Sequence, residues 1–155
     1  MDLITPASLD AFNRWAPIVW LKTSAWAYPS LEVVHIVGIA LVFGTLWIVD
    51  LAIWGKLRVF DVNLLARYIL PWTLGGFLLA ALSGVTMFAT SVGDLMANSA
   101  FLLKMGLLLV AGSNAAVLHA RGAIHTASRL TRWQAGLSLV VWLAVIASGR
   151  WIAYL

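Results

Sequence analysis

Cysteine is absent from this chain. That excludes disulfides, thiolate metal sites, iron–sulfur clusters and c-type haem attachment. Charge is scarce: 10% of the 155 residues are Asp, Glu, Lys or Arg, where a soluble domain carries roughly 25%. Most of the surface is therefore not expected to face water. Glu32 is the only glutamate among six acidic residues. A di-iron site within one chain needs a glutamate from each of four helices, so it is excluded. No Gly-rich phosphate loop, paired carboxylates or nucleophile–base constellation is present, so an enzyme is not expected. Asp2 and Asp10 stand where a signal peptide has a basic region, and no apolar run precedes Pro29. Insertion into a membrane is expected to use the first long apolar stretch itself.

What is abundant is apolar sequence, 63% of the chain, with a mean hydropathy of +0.96. Four stretches reach the roughly 20 residues that a membrane helix needs: Leu31 to Trp54, Tyr68 to Thr90, Ala100 to Ala120 and Trp133 to Ile152. None alternates strictly, which favours helices over barrel strands. Pro71 is read as lying in the first turn of the second span, where it is tolerated. Before them, Leu9, Phe12, Trp15, Ala16, Val19 and Trp20 recur at helical spacing among Asn13, Arg14, Lys22 and Thr23. This predicts an amphipathic interfacial helix, with Pro29 and Ser30 turning the chain into the membrane. The expected fold is all-α: a four-helix transmembrane bundle over residues 31–155, preceded by an interfacial segment over residues 1–30.

Charge is distributed unevenly among the short connections. The first carries Lys56, Arg58 and Arg67, the third Arg121, Arg129 and Arg132, and the second only Asp94. The positive-inside rule puts the first and third loops in the cytoplasm and both termini outside. The net charge of +4 is then mostly two loops facing anionic lipid headgroups. Basic residues that flank spans do not form a nucleic-acid patch.

Depth along the spans sorts the remaining polar groups. Counted from the cytoplasmic ends, His35 lies at roughly 28 Å, Lys104 at roughly 24 Å and Arg150 at roughly 26 Å. Met87 falls near roughly 28 Å and Met105 near roughly 22 Å. Glu32 is one turn further out, on the face of His35. An inner layer holds Asp50, Trp72, Asn114, His119 and Gln134, within roughly 9 Å of the cytoplasmic ends. Only Ser83, Ser113 and Ser138 approach the centre, so a continuous ion path is not expected. Small residues pair as Ala40 with Gly44, Ala80 with Gly84, and Gly112 with Ala116 and Ala120, which favours close helix packing. The tryptophans gather near span ends as an aromatic belt.

Three readings compete for the outer layer. In the first, His35 is an axial ligand of haem b, Lys104 and Arg150 hold propionates, and Gly38 leaves room for the macrocycle. Met87, Met105 or a second subunit's copy of the histidine completes the iron, or the iron is five-coordinate, since His119 lies roughly 27 Å away in depth. In the second, Glu32 and His35 bind a transition metal shared between subunits. In the third, Glu32 pairs with Lys104 or Arg150, and His35 bonds to a backbone carbonyl or to Ser83. His119 reads as an interfacial histidine and His125 as a solvated loop residue. The favoured function is a non-enzymatic component of an electron-transport system that binds haem or quinone. The alternatives are a structural or accessory subunit of a larger membrane complex and a metal or small-solute permease; the expected partners are the lipid bilayer and a second copy of the chain or a larger membrane complex.

A resemblance rests on Trp26-Ala-Tyr-Pro29, Leu31-Glu-Val-Val-His35, Asp50-Leu51, Leu70-Pro-Trp72 and Ala100-Phe-Leu-Leu-Lys104. Ala111-Gly-Ser-Asn114 with His119, and Gly149-Arg-Trp-Ile-Ala-Tyr154, continue it. Over nearly its whole length the chain resembles a domain-of-unknown-function family of small four-helix bacterial inner-membrane proteins. The resemblance implies four spans and a bacterial inner membrane, and marks Glu32, His35, Lys104, Asn114, His119 and Arg150 as motif positions. It implies no activity. A similarity of shape to four-helix b-type cytochromes and copper-resistance membrane proteins is analogy; the paired histidines of the former are missing.

Overall fold

The structure, a computed structural model, describes residues 13–57, 61–122 and 128–155. Leu9, Phe12, Arg58 and His125 lie outside the described residues. Helices are α1 (Ala16–Thr23), α2 (Ala27–Ile53), α3 (Val62–Thr90), α4 (Val92–Ala97), α5 (Ser99–Ala120) and α6 (Arg129–Trp151). Four of them, α2, α3, α5 and α6, are long and apolar enough to cross a membrane. The chain is an all-α, multi-pass membrane protein. Its two ends are distinguished by the residues of α2 that lie there: a Glu32 end and a Trp54 end.

Helix ends are set by local chemistry. Asp61 caps α3, its carboxylate accepting from the N–H groups of Asn63 and Leu64 at 2.8 and 2.9 Å. Asn98 caps α5 through the Phe101 N–H, and Ser128 caps α6 through the Thr131 N–H. Each satisfies a donor that has no intrahelical partner. At the other end of α2, Gly55 takes a φ of 75°. Its N–H donates to Ala52 and that of Lys56 to Leu51, the two bonds of a Schellman closure, which favours glycine at that position.

Two boundaries differ from expectation. Pro29 does not turn the chain; it occupies the first turn of α2, where a missing N–H is harmless. Because Asp61 caps it, α3 begins at Val62 and not at Tyr68, so Pro71 lies inside the helix. The carbonyl of Arg67 thereby lacks its usual donor. At 29 residues α3 is about 43 Å long, longer than the roughly 30 Å hydrocarbon layer. Its first turns therefore project toward the headgroups or the helix tilts. The second connection also contains a short helix, α4, in place of a plain loop.

Packing groups the spans into two hairpins. The most extensive interface joins α2 to α3, the next joins α5 to α6, and the hairpins meet along α2 and α6. In the first hairpin the backbones nearly touch. A Cβ on Gly38 would fall 2.6 Å from the Ala80 nitrogen, and one on Gly76 2.6 Å from the Leu41 Cβ. The seam therefore runs through Gly38, Gly76, Ala80 and Gly84. Gly44 and Gly112 have nothing within 4 Å of a built Cβ, so the pairs Ala40–Gly44 and Gly112–Ala116 do not form packing seams. Val49, Ile53 and Ala135 cluster where α2 meets α6, with Trp54, Val62 and Ile69 against them. Ala111, Val141 and Val145 join α5 to α6. The α1 helix packs against α2 and α3 and buries only Ile18, leaving Trp15, Val19 and Trp20 exposed.

Candidate functional site

His35 lies one helical turn before Gly38, where the α2–α3 seam opens enough for an imidazole. Its ring rests over Gly84, whose built Cβ would fall 3.0 Å from Cε1. Nδ1 is 2.8 Å from the Ala80 carbonyl oxygen and 3.1 Å from Ser83 Oγ. A carbonyl can only accept, so Nδ1 carries the proton. The Ser83 hydroxyl donates to the Leu79 carbonyl at 2.7 Å, which leaves its oxygen free to accept from the same Nδ1–H. The second ring nitrogen, Nε2, then carries the lone pair in the neutral ring. It has no partner among the described residues. An imidazole tied at Nδ1 and open at Nε2 is the arrangement by which proteins orient a histidine toward a ligand or metal.

Lys104 reaches this region from α5. Its stem packs over Gly149 of α6, with Nζ 3.4 Å from the built Cβ, and its charge acts on His35. Lys104 is half-buried, and its ammonium has no hydrogen-bonded or ionic partner among the described residues. A cation at membrane depth without a partner is unfavourable. The site thus offers one acceptor, Nε2, and one donor cluster, the ammonium.

The other residues of this layer point elsewhere. Glu32 is exposed and makes no direct ion pair with Lys104 or Arg150 among the described residues; its charge acts on Tyr28, one turn away. Arg150 donates to the Tyr154 hydroxyl at 2.7 Å and lies 5.0 Å over that ring. Met87 is half-buried, and Met105 is exposed. The room expected beside Gly38 is filled by the α3 backbone, so no macrocycle enters there. No three metal-ligating side chains gather among the described residues.

The layer at the Trp54 end links helices. Asn114 donates to the Gln134 carbonyl at 3.1 Å, and Arg121 to the Gln134 side chain at 3.2 Å. His119 is exposed and bonds only within α5, to Ala115. Asp50 is 3% exposed; Ser138 hydrogen-bonds its carboxyl, but Oδ2 has no partner among the described residues. One polar contact between spans was not expected. Thr73 donates to Thr45 across the first hairpin at 2.7 Å, so the middle of this interface is not wholly dry. Both threonines also bond their own helix backbones, which makes such residues inconspicuous in apolar sequence.

Comparison with protein-family models, curated proteins and solved structures finds no match.

Proposed function

We propose that this chain is a non-enzymatic membrane component of a redox system that binds a quinone-type ligand at His35 and Lys104. The carrying observation is the orientation of His35: Nδ1 is fixed by Ala80 and Nε2 is left open. A hydroquinone hydroxyl can donate to Nε2, and a quinone oxygen can accept from the Lys104 ammonium. Both polar groups lie in apolar surroundings suited to a lipid-soluble ring. Haem b uses the same histidine orientation, but the closed seam at Gly38 supports it less. The location proposed is a bacterial inner membrane, with the basic Trp54 end in the cytoplasm and both termini outside.

A second reading has its own support. The bonds from His35 to Ala80 and Ser83 join α2 to α3, as a purely structural residue would, in a subunit that packs against a larger complex. Extraction of the purified protein separates the two. Bound quinone, or a Soret band, present in the wild type and lost in His35→Ala supports ligand binding. A protein free of both that binds no added short-chain quinone is the accessory subunit.

A further inference from the structure

The two polar groups at the His35 site are each seated on a glycine of a neighbouring helix. The His35 ring lies over Gly84 of α3. The Lys104 stem lies over Gly149 of α6, with Nζ, Cε and Cδ 3.4, 3.7 and 3.8 Å from the built Cβ. All four spans thus contribute to one level of the bundle. We propose that the ligand there is an aromatic ring bound as a monoanion, with a hydroxyl on His35 Nε2 and an anionic oxygen on the Lys104 ammonium. This rests on the reading of His35 as a ligand-binding residue. For a quinone-type ligand, that form is the singly deprotonated hydroquinone.

No charge among the described residues neutralises the ammonium. Glu32 of α2 acts on Tyr28, and no carboxylate acts on Lys104. Asp50 lies roughly 22 Å along α2 from His35 and is bonded by Ser138. Asp94 of α4 is exposed, and Arg150 of α6 is held by Tyr154. A lone cation at membrane depth takes its counter-charge from what binds it. A neutral carbonyl supplies only a dipole, whereas an anionic oxygen makes a charge-assisted bond. At the other end of the ring the demand is reversed. The Ala80 carbonyl holds the Nδ1 proton, so Nε2 of the neutral ring can only accept. One donor and one anionic oxygen make a monoanion.

Phe88 and Phe101 favour a flat ligand. Their rings stack between α3 and α5, with centroids 5.3 Å apart and planes within 6°. Phe88 stands one turn beyond Gly84, and Phe101 one turn before Lys104, so the pair covers this level from the Glu32 end. Apolar cover also strengthens the attraction between the ammonium and an anion.

Calorimetric titration of the full chain in phosphatidylcholine nanodiscs, with empty nanodiscs subtracted, tests the proposal. The probes are para-hydroxybenzoate, which carries both groups, its neutral methyl ester, and para-methoxybenzoate, which lacks the donor. Wild type should bind para-hydroxybenzoate about tenfold more tightly than the ester and about fivefold more tightly than the methoxy compound. Lys104→Met keeps the stem on Gly149 and should erase only the preference over the ester. His35→Asn should erase only the preference over the methoxy compound. Lys22→Gln removes an exposed cation of α1 and should leave the ranking unchanged. Equal binding of acid and ester by wild type, or a charge preference that survives in Lys104→Met, would overturn the monoanion. A short-chain quinone that still binds through His35 would then leave the quinone site standing. Failure of every probe and of the quinone to bind would overturn both.

Discussion

His35 on α2 donates through Nδ1 to the Ala80 carbonyl of α3 at 2.8 Å. One hydrogen bond thus joins two spans and decides which ring nitrogen faces outward. Interhelical bonds of this kind contribute about 0.6 kcal/mol on average and up to about 1.7. His35→Ala should therefore lower unfolding stability by about 1 kcal/mol. Asparagine carries an N–H close to the Nδ1 position, so His35→Asn should lose much less. Denaturation of both variants in mixed micelles measures the difference.

The glycine seam has a sharper expectation. A methyl group on Gly38 or Gly76 meets backbone or a Cβ closer than 3 Å, and neither can yield without moving a helix. Gly38→Ala and Gly76→Ala should each destabilise by about 1–3 kcal/mol. Gly112→Ala, with open space around it, should leave stability unchanged or slightly raised. Thermal unfolding of the three variants side by side gives the ranking.

Asp50 is buried with one oxygen unsatisfied among the described residues. Removing the charge while keeping an acceptor for Ser138 should relieve an unfavourable burial. Asp50→Asn is expected to match or exceed wild-type stability, whereas Asp50→Lys should fold poorly. Expression and melting temperature in detergent decide this.

Orientation follows from six basic residues in the first and third connections or the helix turns beside them, and none in or beside the second. Cysteines placed at the exposed positions Asn63 and Asp94 should label from opposite sides of the membrane, with Asn63 cytoplasmic. Labelling of both from one side would remove the topology.

The four spans were legible because length and hydropathy alone define them. Relative level along the bundle was legible for His35 and Lys104, since rise per residue is constant and the Lys104 charge acts on that ring. Azimuth was not. Arg150 was counted to the level of Lys104 and Glu32 to one turn beyond His35, yet Arg150 turns to Tyr154 and Glu32 is exposed, because 100° per residue separates faces that a depth count merges. The start of α3 was missed because Asp61 lies outside the apolar run that marks the span. Gly38 was read as room for a ligand when a single glycine is equally room for a neighbouring backbone. A bond from His35 to a backbone carbonyl or to Ser83 was among the expected contacts, and both partners are present; that the carbonyl is that of Ala80 is what no side-chain pattern announces.

Whether Nε2 of His35 holds a ligand, or the ring merely completes a helix contact, is decided by His35→Asn. That variant keeps the Nδ1-like donor and removes Nε2. Titration of a short-chain quinone into wild type, His35→Asn and His119→Ala in nanodiscs measures the difference. Saturable binding is predicted for wild type and His119→Ala. Binding to a stably folded His35→Asn should be at least about tenfold weaker, equivalent to one lost hydrogen bond of about 1.4 kcal/mol. Wild-type binding by His35→Asn, or loss of binding in His119→Ala alone, would contradict a ligand held at Nε2.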